Sequence, residues 1–209
     1  MKTILYYIHD PMCSWCRGFN ATLASLITAL PEGIEFRRLL GGLAPDTNEP
    51  MNEATREMVQ ASWRRIEESI PGVSFNFDFW KQCQPRRATY PACRAVLAAR
   101  RQGRDEDMIK AVQVAYYQQA RNPSDDSTLL ELAGELGLDK EQFSTDLHSD
   151  EVDKALAAEI KLARAMFVES YPSLVLKEGG SEWHIPVDYH DYRTMLELIE
   201  ARRSLPDAD

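Results

Sequence analysis

Apolar residues run without a polar break from Ile4 to Ile8, as expected of a strand buried on both faces. Past Pro11, Leu23, Leu26, Ile27 and Leu30 recur at helical spacing, and Pro31-Glu32-Gly33 ends that helix. A second apolar run, Ile34 to Leu40, follows at the distance a parallel βαβ crossover requires. From about Pro50 to Phe167 the period is helical. The expected helices are Met51–Ile70, Ala88–Gln102, Asp105–Arg121, Ser127–Leu136, Lys140–His148 and Glu151–Phe167, broken at Pro71-Gly72, Gly103, Asn122-Pro123 and Gly137. Asn48 or Asn52, Ser127, Asp139 and Ser149 are their expected caps. Strand chemistry then returns in Ser173–Leu176, a turn over Lys177–Gly180 and a hairpin partner over Glu182–Val187. Asp188 is expected to cap a last helix whose stripe is Tyr192, Met195, Leu196 and Ile199, and the tail from Ser204 onward is expected to be disordered.

Between the first strand and the first helix lies Asp10-Pro11-Met12-Cys13-Ser14-Trp15-Cys16-Arg17-Gly18-Phe19. Two cysteines three positions apart at a helix start can close a disulfide without backbone movement. The unpaired N–H groups and positive dipole end there favour thiolate, lowering the pKa of the first thiol from about 8.5 to roughly 3.5–7.5. Thiolate is the attacking species in exchange, so Cys13 is expected to be an exposed nucleophile and Cys16, one turn deeper, the resolving thiol. The competing reading is half of a zinc site. That needs a second pair at metal spacing, and Cys83 and Cys93 are ten apart. The strand-then-helix context favours redox, with no metal expected. His9 and Asp10 have two readings, as groups that tune Cys13 or move protons to Cys16, or as a satisfied turn histidine and a turn-capping aspartate. His148, His184 and His190 form no metal pattern, and Cys83 and Cys93 read as ordinary free thiols.

Composition narrows the setting. A net charge of −9 over 209 residues leaves no electrostatic footprint for nucleic acid; Arg64-Arg65, Arg86-Arg87 and Arg100-Arg101 read as solvated pairs. No run approaches the ~20 apolar residues a membrane span needs. The first residues pass into His9-Asp10 and the cysteine pair without a signal-peptide pattern, so a cytoplasmic location is expected. Structural disulfides are unexpected there, which leaves the pair as catalytic or metal-binding.

The element order is βαβ, a helical stretch, then ββα. With Asp10-Pro11-Met12-Cys13-Ser14-Trp15-Cys16, Gly18-Phe19 and the distant Tyr171-Pro172-Ser173-Leu174-Val175, the chain resembles the DsbA-like branch of the thioredoxin superfamily, and within it the FrnE-like group of predicted protein-disulfide isomerases. The resemblance implies an α/β fold: thioredoxin halves at 1–45 and 168–209, interrupted by an all-helical insertion at 46–167. It also implies a cis-proline loop beside the cysteines, with Pro172 as the proline and Tyr171 presenting its backbone to an extended substrate and its ring to the Cys13 sulfur. Read locally, the favoured reading is a trans proline that ends the long helix at Ser170-Tyr171, and it is the cysteine pair with the ββα pattern that turns the reading to cis. Ser14-Trp15 departs from the Pro-His pair of the oxidising periplasmic members, so their potential does not carry over. Trp15 has two readings, a substrate-facing contact or packing against the insertion.

The leading expectation is an intracellular thiol–disulfide oxidoreductase or isomerase acting on protein or peptide thiols and disulfides. It needs no bound cofactor beyond a redox-active Cys13–Cys16 disulfide, and glutathione is open as a co-substrate. The kappa-class glutathione transferases and 2-hydroxychromene-2-carboxylate isomerases share the inserted-helix architecture but usually carry serine at the first position. A third reading is a non-enzymatic DsbA-like adaptor.

Overall fold

A computed structural model describes residues 2–203; the tail from Ser204 lies outside the described residues. The first apolar run forms β1 (Thr3–His9), followed by α1 (Ser14–Ala29) and β2 (Ile34–Leu40). β3 (Ser173–Glu178), β4 (Ser181–Ile185) and α9 (Tyr192–Arg203) complete the other half. The sheet order is β2-β1-β3-β4, with β1 parallel to β2 and antiparallel to β3. This is the expected α/β thioredoxin fold.

The unbroken apolar run follows from burial on both faces. Leu5 and Tyr7 pack with Phe19, Leu23 and Leu26 of α1 and with Met195 and Ile199 of α9. Tyr6 and Ile8 face the other way, onto Ala163 and Met166. Alternation along one strand thus serves two apolar layers.

Between β2 and β3 come α2 (Glu53–Ser69), α3 (Phe79–Gln82), α4 (Tyr90–Arg100), α5 (Asp105–Tyr117), α6 (Asp126–Glu135), α7 (Lys140–Leu147) and α8 (Asp150–Ala165). Periodicity missed only α3, whose four residues are too short to show a period. Asn52, Asp139 and Ser149 cap α2, α7 and α8 as expected. Two caps differ. Ser127 lies inside α6, whose N-cap is Asp125. Asp188 organises the preceding turn, accepting from the N–H groups of His190 and Asp191, and Asp191 accepts from Arg193 at the helix start. Lys177 and Glu178 extend β3, because Gly179 at φ 58° lets a two-residue loop suffice.

Two contacts fix the helices against the sheet half. A Cβ at Gly18 would lie 2.8 Å from Ile70 Cδ1, so α1 and the end of α2 approach only because position 18 lacks a side chain. Glu159 of α8 accepts from the Leu40 N–H at 2.6 Å and pairs with Arg100 of α4. The helices share one apolar core centred on Trp63, whose ring centroid lies 5.0 Å from those of Phe75 and Trp80 and 5.5 Å from those of Phe77, Tyr116 and Tyr117. Trp63 is fully buried. Trp63→Ala is expected to cost about 3–5 kcal/mol of unfolding free energy, measured by urea denaturation, since cavity and lost ring contacts add.

Candidate active site

Cys13 is the N-cap of α1, with extended backbone (φ −81°, ψ 117°), and Cys16 lies in the first turn. The Cys13 N–H donates to the Asp10 carbonyl at 3.1 Å, and the Cys13 carbonyl accepts from Arg17 at 3.1 Å. Pro11 breaks the strand and so frees the chain for this turn. Cys13 is 6% exposed and Cys16 0%. The expectation of an exposed nucleophile is therefore corrected: Cys13 is the more accessible thiol, but it lies at the floor of a groove of about 280 Å³. One wall is Met51, Met58, Val59 and Ser62, from the start of α2 and the loop before it; Arg86, Arg87 and Glu169 also line the groove.

Trp15 packs against the insertion and also lines the groove. Its ring lies 5.3 Å from Tyr189, with the Arg65 guanidinium of α2 5.9 Å above it, and the same side chain lines the groove.

The Tyr171–Pro172 peptide bond is cis. The Cys13 thiol donates to the Tyr171 carbonyl at 3.5 Å. The ring goes elsewhere: its hydroxyl donates to the Gly41 carbonyl at 2.7 Å, and a Cβ at Gly41 would lie 2.0 Å from ring atom Cε1. Gly41 is thus the seat for Tyr171, and it is the carbonyl rather than the ring that bonds the sulfur. Partial burial raises the Tyr171 phenol to about 12.

His9 and Asp10 go to different places. The Asp10 carboxylate has no solvent access and accepts from Met12 N–H at 2.8 Å, Leu43 N–H at 2.7 Å, the Thr89 hydroxyl at 2.6 Å and the Cys93 thiol at 3.5 Å. Burial still outweighs these donors, so its affinity for a proton is raised. Cys16 is pushed well above its ordinary value, first by burial and then by its hydrogen bond to Cys13, and the Asp10 charge adds to the rise. Tyr7 is likewise raised, chiefly by burial and then by the neighbouring Cys16 and Cys13 thiols. His9 stacks on Tyr7 at 4.9 Å and lines a separate cavity. Burial, with Arg38 and Arg100 nearby, lowers it to about 3, so it stays neutral.

Thr89, Gly41 and Tyr7 belong to this neighbourhood and were not singled out by sequence reasoning, which read Cys93 as an ordinary free thiol and not as a partner of Asp10. Only the Gly41-Gly42 doublet after a strand carried a signal, a close backbone approach. Cys83 and Cys93 are free thiols, and the Cys83 thiol donates to the Ala120 carbonyl at 3.0 Å. His148 meets Asp126 at 3.3 Å and His184 the Met166 carbonyl at 2.8 Å. Among the described residues no group of three or more His, Cys, Asp or Glu could hold a metal ion, and no helix is long and apolar enough to cross a membrane.

A family model described as Thioredoxin matches residues 6–197. The fold is similar to a Nitrosomonas europaea protein described provisionally as a disulfide isomerase, at TM-score 0.81 and 25% identity over 96% of this chain and 97% of that one. It is also similar in fold to the cytosolic disulfide reductase DsbM of Pseudomonas aeruginosa, at TM-score 0.75 and 24% identity over 96% and 98%. The fold is likewise similar to a Streptomyces coelicolor protein described as a probable DsbA oxidoreductase, at TM-score 0.74 and 19% identity over 99% of this chain and 93% of that one. Among curated proteins the chain is 29% identical over 173 residues to the ClpXP adapter protein SpxH of Bacillus subtilis, covering 81% of this chain and 56% of the relative. It is 26% identical to SpxH of Halalkalibacterium halodurans, covering 94% and 66%. The chain thus spans less than two thirds of the length of these curated relatives.

The neutral His9 gives a pH signature. Unfolded, it titrates near 6.5, and folded near 3. Between those values the unfolded chain binds a proton that the folded chain refuses, so this contribution to stability is full above about 6.5 and lost as pH falls towards about 3. Asp10 acts oppositely: its raised folded value makes stability fall as pH rises through the window above 3.8. Substituting His9→Gln is expected to remove a positive slope of up to about 1.4 kcal/mol per pH unit, read from urea unfolding at several pH values between about 4 and 6.

Proposed function

This chain belongs to the thioredoxin family, and from that premise we propose that it is a thiol–disulfide oxidoreductase of protein or peptide substrates, with Cys13 attacking and Cys16 resolving. The observation that carries the reading is the position of Cys13: a helix N-cap beneath a groove, with its thiol on the carbonyl of the cis Tyr171–Pro172 pair. An extended segment entering the groove pairs its backbone with the residue before Pro172, while Trp15 and Met58 contact its side chains.

Exchange takes two steps. The Cys13 thiolate attacks one sulfur of a substrate disulfide, forming a mixed disulfide and releasing the other sulfur as thiolate. Cys16, deprotonated by the nearby Asp10 carboxylate, then attacks the Cys13 sulfur. The second substrate thiol leaves and Cys13–Cys16 closes as a disulfide. Two glutathione molecules, giving one glutathione disulfide, restore the dithiol. Support for glutathione as donor comes from the structure of DsbM, similar in fold, solved with GSH. Net reduction or isomerisation then follows from the potential of the pair against its pool, and we read that pool as cytoplasmic.

The SpxH relatives favour a second reading, in which the same groove is a docking surface of an adaptor. Insulin reduction with glutathione separates the two. Wild type is expected to accelerate it, Cys13→Ser to fall to the uncatalysed rate, and Cys16→Ser to accumulate a mixed disulfide at Cys13 by intact mass. No acceleration by the wild type, with partner binding unchanged when Cys13→Ser and Cys16→Ser are combined, would move the conclusion to the adaptor.

A further inference from the structure

A second cavity, of about 330 Å³, shares no lining residue with the groove at Cys13. Its volume lies at the lower end of the range of roughly 300–1,000 Å³ found for small-molecule sites. It lies between α1, the sheet and α5 of the helical insertion. Its apolar wall is the Tyr7 ring with Leu23, Ala24, Ile27 and Ile109. Asn20 and Gln113, also in the lining, are bonded to each other at 2.6 Å and offer little to a ligand.

Three observations give the occupant its chemistry. His9 is 2% exposed and lines the cavity, and its Nε2 has no hydrogen-bond partner among the described residues. A buried polar atom is rarely left so. Arg38 is neutralised by its ion pair with Glu106, whereas Lys110 makes no ion pair or hydrogen bond with any described residue. The lining is therefore net positive by one charge in a chain of net charge −9. One unpaired cation matches a monoanion better than a phosphate monoester, whose charge is about −1.5 to −2.

We propose that this cavity binds a small arylalkyl monocarboxylate, with its carboxylate at Lys110, its apolar body on the α1 wall and one neutral hydrogen-bonding group at His9. The site goes beyond the dithiol reading. It does touch it: Tyr7 lines the cavity and is electrostatically linked to Cys16, so an occupant sits beside a ring on which that thiol acts.

The test is titration of the wild-type protein with 3-(4-hydroxyphenyl)propionate, following the His9 imidazole signals by heteronuclear NMR. A saturable shift is expected. Exposed Lys110→Glu is expected to weaken binding by about two- to fivefold, and tyramine, which replaces the carboxylate by an ammonium, is expected to bind more weakly still, with no saturable shift. Absence of a saturable change at His9, equal binding by Lys110→Glu, or equal binding of tyramine overturns the proposal. The readout involves neither cysteine, so failure here and failure of the dithiol reading are separate results.

Discussion

The site depends on a carboxylate placed where carboxylates are costly. Asp10, at the end of β1, gathers donors from positions 12, 43, 89 and 93, and the last two belong to the helical insertion. Removing a charge from water costs several kcal/mol before any partner is counted, and the upward push on Asp10 says that four donors do not fully offset it. What the arrangement supplies is a fixed relation between three segments. The turn before Cys13, the loop after β2 and the start of α4 all bond one carboxylate. The insertion is therefore part of the dithiol environment and not only a cover for the sheet.

Strand periodicity then divides the neighbourhood. Tyr7 and His9 share one face of β1, towards α1, and Ile8 faces α8. Asp10 lies just past the strand and is free of that alternation, so its side chain reaches the insertion. Cys16 sits where the two meet, with the Tyr7 hydroxyl and the Asp10 charge both acting on it. Burial dominates at Cys16 and at Tyr7 alike, so in the reduced protein both stay protonated near neutrality, and on the proposed chemistry the resolving step waits for a base.

What the sequence shows of this is set by range. The unbroken run Ile4–Ile8 shows double-sided burial because each residue carries its own share of the pattern. The Cys13–Cys16 spacing is equally legible, being a short motif whose geometry is local, whereas Pro172 reads locally as a helix end and its cis bond follows only from the resemblance. Thr89 and Cys93 carry no such mark. Their meaning comes from Asp10, 79 and 83 positions away, and nothing within α4 distinguishes them from a cap and a core thiol. Ser127 and Asp188 show the local version of the same limit. Several acceptors near one helix start compete, and which of them lies at the N-cap is settled by the path of the incoming chain. Trp15 could not be placed from sequence because its ring both packs on neighbouring rings and lines the groove, and its position on one helix turn does not separate the two.

The partial burial of Cys13 bears on selectivity. At 6% exposure the sulfur is reached only through the groove, so on the proposed reading a partner delivers its disulfide as a narrow segment rather than from a broad face. The seat of Tyr171 sets how narrow. Gly41 lets the ring lie flat against the backbone after β2, and the hydroxyl bond to the Gly41 carbonyl holds it there, which leaves the Tyr171 carbonyl turned to the sulfur. A side chain at position 41 would displace the ring and with it the carbonyl. Met51, Met58 and Val59 on the opposing wall are flexible or apolar and fit many sequences, whereas the backbone edge fits one conformation. On the proposed reading, selection at this groove is by extended shape first and by side chain second, which suits an exchange catalyst acting on locally unfolded substrates.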